Sequence, residues 1–157
     1  MLRILPCCVL GLIVSVLPAG QARPFEQSAE ETKVFELTNQ ERKGKDLPAL
    51  VLNPALSKIA RAHSENMARK GKMEHKLDGK DSVDRLRDAG YKFMKAAENI
   101  AEAEKGAELP TIIKAWMESE GHRKNILSAE YTEFGVGIAR DKVGTCYLTQ
   151  VFAKPRK

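Results

Sequence analysis

Between Phe134 and Ala139 the chain runs FGVGIA, so Phe134, Val136 and Ile138 alternate with Gly135, Gly137 and Ala139. Alternate side chains share one face of a strand. This strand therefore has one bulky apolar face and one nearly bare face. A face of glycines admits another backbone at close range. The strand thus needs cover on both sides, and one cover must lie almost on the strand itself. After a turn at RDKVG, Tyr147, Thr149 and Val151 alternate with Cys146, Leu148, Gln150 and Phe152. Two such runs joined by a short turn predict an antiparallel hairpin.

The residues before the hairpin have helical signals. Ser28-Ala-Glu-Glu resembles a capping box and opens a first helix, with Val34, Leu37 and Thr38 on its inner face. KGKDLP ends it. Asn53 and Pro54 start a second helix, Leu56, Ile59, Ala60, His63 and Met67 follow at helical spacing, and Gly71 closes it. KMEHKLDGKD has neither period and is expected to be a loop. Ser82 is expected to cap a third helix through Val83 and Leu86 to Ala89, stopped by Gly90. AAENIAEAEKGAE is expected to be irregular or briefly extended. Pro110 opens a fourth helix with Ile112, Ile113, Trp116 and Met117 on one stripe. It should falter at Gly121, with HRKNIL forming one further turn capped by Ser119. Helices first and a hairpin last define an α+β chain.

A length of 157 residues suggests one domain. Residues 1–22 have the pattern of a secretory signal peptide: Arg3 as the only charge, an apolar run from Ile4 to Leu17, then Ala19, Gly20 and Ala22. Cleavage is expected after Ala19 or Ala22. The run is short for a membrane span, which needs about 20 residues. Residues 23–32 then form a short leader and 33–154 the folded domain, with no transmembrane span after signal removal. The protein is expected to be exported, to the periplasm or the outside of the cell.

Losing Arg3 lowers the formal charge from +5 to +4. That modest excess suits an anionic envelope polymer or a lipid. Nucleic acid fits less well, because no aromatic residues interleave with the basic runs as stacking platforms. Cys7 and Cys8 leave with the signal, so Cys146 has no disulfide partner within the mature chain. It is expected to be a buried, inert thiol.

His63 lies on the apolar face of the second helix and predicts a hydrogen-bonded core histidine. His75 sits in a polar loop, Glu98 beside alanines and Ile100, and His122 after Gly121. Two histidines and a carboxylate form a reasonable zinc ligand set with a position left for water. Ser64, Ser82, Ser119 and Ser128 lie in no nucleophile-elbow pattern.

Several motifs in order carry a resemblance: the run from LTNQERKGKDLPAL to DRLRDAGY, then AENIAEA, AWMESEGHRKNIL, YTEFGVGIA and YLTQVFA. Together they resemble the bacterial form of the CAP superfamily, the cysteine-rich secretory, antigen-five and pathogenesis-related class-one proteins. The resemblance implies a CAP fold over 33–154, a single α–β–α sandwich whose small antiparallel sheet is flanked by helices. It also implies a cleft of two histidines and two glutamates. His75, Glu98 and His122 match three of these, with Ala97 replacing a glycine of the signature. Ser119 stands where the second glutamate is expected, and Glu118 and Glu120 are out of register.

Family members variously bind divalent metal or lipids, and proteolysis has been proposed for a few. The expected function is a secreted, non-catalytic binding or interaction module. Its cleft of His75, Glu98, Ser119 and His122 would hold Zn2+ or another divalent cation through His75 and His122, with Glu98 as a further ligand. The alternative is a metal-assisted hydrolase acting on peptides or cell-envelope material, with Glu98 as base.

Overall fold

The computed structural model describes residues 25–156, and the expected signal peptide 1–22 lies outside them. The elements run α1 (Ala29–Lys43), β1 (Val51–Leu52), α2 (Pro54–Lys70), α3 (Ser82–Asp88), β2 (Phe93–Ala103), α4 (Leu109–Glu118), α5 (Glu120–Ile126), β3 (Glu133–Arg140) and β4 (Cys146–Pro155). The four strands form one sheet in the order β1-β3-β4-β2. The expected β3–β4 hairpin is antiparallel, with Gly137 opposite Thr149. β2 joins β4 antiparallel, and the short β1 adds to β3 in parallel. None of the helices described is long and apolar enough to cross a membrane.

The bare face of β3 meets α2. A Cβ at Gly135 would lie 2.2 Å from the Leu56 carbonyl carbon, and one at Gly137 2.0 Å from the Arg61 nitrogen. No side chain fits those gaps, so the helix rests on the strand backbone. Serines on α2 complete the contact: the Val136 N–H donates to Ser57 Oγ, and Ser64 bonds the Gly137 carbonyl and Thr149. Phe134 and Val136 face the other way into a core with Val34, Ile113, Trp116, Ile126, Leu148 and Phe152. The result is helices on both faces of the sheet, as the resemblance implies.

β1 covers only the first residues of β3, so the rest of that edge needs other partners. α1 supplies them. Glu31 is fully buried, accepts from the Ile138 N–H at 3.1 Å and pairs with Arg61. Gln27 donates to the Val136 carbonyl, and Arg61 stacks on Phe25 with its guanidinium carbon 4.1 Å from the ring centroid. The ordered fold therefore takes in part of the stretch 23–32 that the sequence suggests is a leader. Ser28 caps α1 in the expected capping box with Glu31.

α2 follows expectation: Asn53 caps it, Pro54 opens it, and Gly71 closes it in the left-handed region. Three expectations need correction. Asp81, not Ser82, caps α3, in a reciprocal box with Asp84. The segment AAENIAEA is not irregular but most of an eleven-residue strand, β2. α4 ends at Glu118 with Ser119 extended, so the break precedes Gly121, which lies inside α5.

Candidate functional site

β2 is an edge strand, and its consecutive residues Glu98 and Asn99 send their side chains to opposite faces. Asn99 is fully buried. It donates to Gln150 and to the His122 carbonyl and accepts from Asn125 at 2.8 Å. Gln150 passes the chain on to Thr38 at 2.9 Å. This polar network satisfies its buried members and fixes α5, with His122, against the edge strand.

Glu98 points to the α2 side, where its side chain is 3% exposed. His75 Nδ1 donates to its Oε1 at 2.9 Å, and Arg85 donates to its Oε2 at 2.6 Å. Arg85 also donates to the carbonyls of His75 at 3.2 Å and Lys80 at 2.9 Å, which pins the loop carrying His75. His75 itself is half in solvent, with 56% of its side chain exposed. Its Nδ1 is committed to the carboxylate, so Nε2 is the nitrogen left to act outward.

His63 lies behind this group. It is buried as expected, but it is not hydrogen-bonded: neither ring nitrogen has a partner, and Nε2 stands 3.9 Å from Glu98 Oε1. Burial, opposed by the Glu98 charge, pulls its pKa down to about 4.

His122 is half-buried, with its ring tilted 60° to that of Trp116 at 6.5 Å. Burial lowers its pKa, and the charge of His75 lowers it further. Ser119 is half-buried at the start of α5, and its side chain makes no capping bond. Glu118 faces solvent, 3.8 Å from Lys114, and Glu120 is exposed. Neither carboxylate replaces the absent second glutamate.

Among the described residues, no three His, Cys, Asp or Glu side chains converge as a metal cluster. Both Glu98 oxygens already have partners, one of them a cation. The described residues therefore offer no closed site of three or four protein ligands. Cys146 is buried, and burial raises its thiol pKa, which disfavours the nucleophilic thiolate. Sequence reasoning missed Arg85 and the place of His63. Nothing in DRLRD separates Arg85 from the exposed Arg87, and the helical period marks His63 only as buried.

A four-stranded sheet with helices on both faces, in this order of elements, is the CAP fold. The cysteine-rich secretory protein family, CAP, matches residues 35–152, and the chain belongs to that family. The uncharacterized protein YkwD of Bacillus subtilis is 41% identical over 132 residues, which are 83% of this chain and 50% of that protein. An extracellular protein of Bacillus anthracis containing an SCP domain is 30% identical, with a TM-score of 0.71 over 79% of this chain and 40% of that one. An outer surface protein of Borrelia burgdorferi shares the fold at a TM-score of 0.75 and 20% identity, covering 83% of this chain and 97% of that one. The chain spans about half the length of the first of these relatives.

Proposed function

We propose that the protein is an exported, non-catalytic binding module whose ligand meets His75 and His122 at the β2 edge, with a divalent ion held weakly between them. The observation that carries this reading is the chain Arg85–Glu98–His75. It uses the carboxylate to orient a histidine, in the way outer residues orient metal-ligating histidines. Glu98 then supports His75 rather than ligating the ion. Export is supported by the apolar N-terminal pattern and by the extracellular relative from Bacillus anthracis.

The hydrolase alternative asks Glu98 to take a proton from water. Oε1 and Oε2 already accept from His75 and Arg85. Each oxygen keeps a further lone pair, so a base function would share the carboxylate with His75 and Arg85 rather than have it free.

Calorimetric titration of zinc into protein purified without nickel tests the proposal. One ion per chain is expected, bound far less tightly than in a four-ligand structural site. Binding should vanish in His75→Ala/His122→Ala and weaken partly in Glu98→Gln, which keeps shape but loses the charge that orients His75. Uptake unchanged in the double variant would remove the metal from the proposal. Turnover of a peptide or envelope substrate that depends on Glu98 would replace the binding module with the enzyme.

A further inference from the structure

A concave surface lies away from the His75–Glu98 pair, where α3 ends, β2 begins and β4 ends. It encloses about 530 Å³ and is lined by Arg87, Tyr91, Lys92, Phe93, Met94 and Arg156. Three cations and no acid line it. The Arg156 N–H donates to the Lys92 carbonyl at 3.0 Å, which holds two of those cations side by side. The neighbouring acids are engaged elsewhere. Asp88 pairs with Lys80 at 2.6 Å, Glu130 pairs with Lys95, and Glu133 accepts from Tyr91 and Asn53. Asp84 lies 4.0 Å from Arg87. Among the described residues, Lys92 and Arg156 have no ion pair.

The strand beside these cations is bulged. Phe93 pairs with Pro155 and Lys95 with Lys154, so Met94 is the extra residue on β2. A bulge re-aims the side chain it carries. Met94 is turned outward and is 61% exposed. The bulge thus presents a flexible apolar side chain. Behind it, the Tyr91 and Phe93 rings stack at 6.5 Å and 20°.

We propose that this groove docks the protein onto an anionic phospholipid surface. Headgroup phosphates sit on Arg87, Lys92 and Arg156, and Met94 enters the interfacial layer. Clustered exposed cations, two of them without an ion pair, beside an exposed apolar side chain are what such a surface recognises. A soluble polyanion would gain nothing from Met94. Nucleic acid would want open aromatic faces, and here the two rings cover each other. The inference stands apart from the cleft and does not depend on any metal there.

Co-sedimentation with vesicles provides the test. The protein should bind phosphatidylcholine vesicles containing phosphatidylglycerol, release at high salt, and ignore pure phosphatidylcholine. Each groove cation near an anionic surface contributes about fivefold in partitioning, so R87Q/K92Q/R156Q should lose about a hundredfold. Met94→Ser should lose several-fold at unchanged charge. A control triple, K45Q/K105Q/K142Q, removes exposed cations outside the groove and should lose clearly less. All substituted positions are exposed, so thermal midpoints should hold. Three results would overturn the proposal: no binding to anionic vesicles, equal losses in the two triple variants, or polyphosphate binding as tight as vesicle binding with Met94→Ser silent.

Discussion

Gly137 shows how much one missing methyl group can decide. Its Cα faces the Arg61 backbone at a distance where an added Cβ would overlap by more than an ångström. The obstacle is backbone, which cannot swing aside. Gly137→Ala should therefore cost about 3 kcal/mol or more, read as a drop in the urea midpoint at constant slope. Gly144→Ala is a contrast, because there the obstacle is the Lys105 side chain, although a φ of 95° still strains the turn. His63 yields a second prediction. Its folded pKa of about 4 lies below the ordinary 6.5 because burial disfavours its charged form. As pH falls from 6.5 towards 4 the unfolded chain takes up a proton that the folded one does not. Stability contributed by His63 is thus complete above 6.5 and is lost across that window, by about 3 kcal/mol. Urea titrations of the wild type and His63→Leu should show a steeper loss between about pH 6.5 and 5 in the first than in the second, the remaining slope nearer pH 4 belonging to carboxylates such as Glu30 and Glu31. The sequence showed that His63 is buried. It could not show the missing bonds, because those depend on what Glu98, Arg85 and His75 bring from three other elements.

Elements were readable to the extent that their signals are local. α2 carries its cap, its first-turn proline, its apolar stripe and its terminal glycine within one stretch, and all four act as expected. The hairpin of β3 and β4 is likewise local. β2 was missed because two of its three buried residues are polar: Glu98 and Asn99 are buried by polar partners on β4, α3, α5 and a loop, so no alternation of hydrophobicity marks the strand. β1, two residues long, has no pattern of its own. Of the candidate site, the residue types were visible and their roles were not; only the fold gives Glu98 its two partners. Glu31 makes the same point for α1. It looked like a capping residue, yet it also closes the β3 edge and pairs with Arg61, its side chain 1% exposed against 26% for the arginine. Glu31→Ala should cost about 3 kcal/mol, at the lower end for a broken buried pair because water reaches Arg61. Chemical denaturation of Glu31→Ala, Arg61→Ala and the double variant would show the coupling as a double variant less damaged than the sum.

At the scale of the whole molecule, the N-terminal helix and the C-terminal hairpin hold each other in place. Glu31 and Gln27 bond β3 from more than a hundred residues away, and Gln150 reaches Thr38. A chain beginning at residue 33 loses the Ser28 cap, the Gln27 bond and Glu31 together. Its thermal midpoint should fall by about 10 °C or more in differential scanning calorimetry. Cys146 reports the same integrity from inside the sheet: it is 6% exposed, so a thiol reagent should label it only as the domain unfolds. The direct seating of α2 on β3 has a kinetic consequence. A helix touching glycine backbone has no side-chain cushion on which to dock loosely, so partial openings of this layer should be scarce. Amide protons of Val136 and Ile138, bonded to Ser57 and Glu31, should then exchange with deuterium at the rate set by global unfolding, while the exposed turn at Lys142 exchanges far sooner.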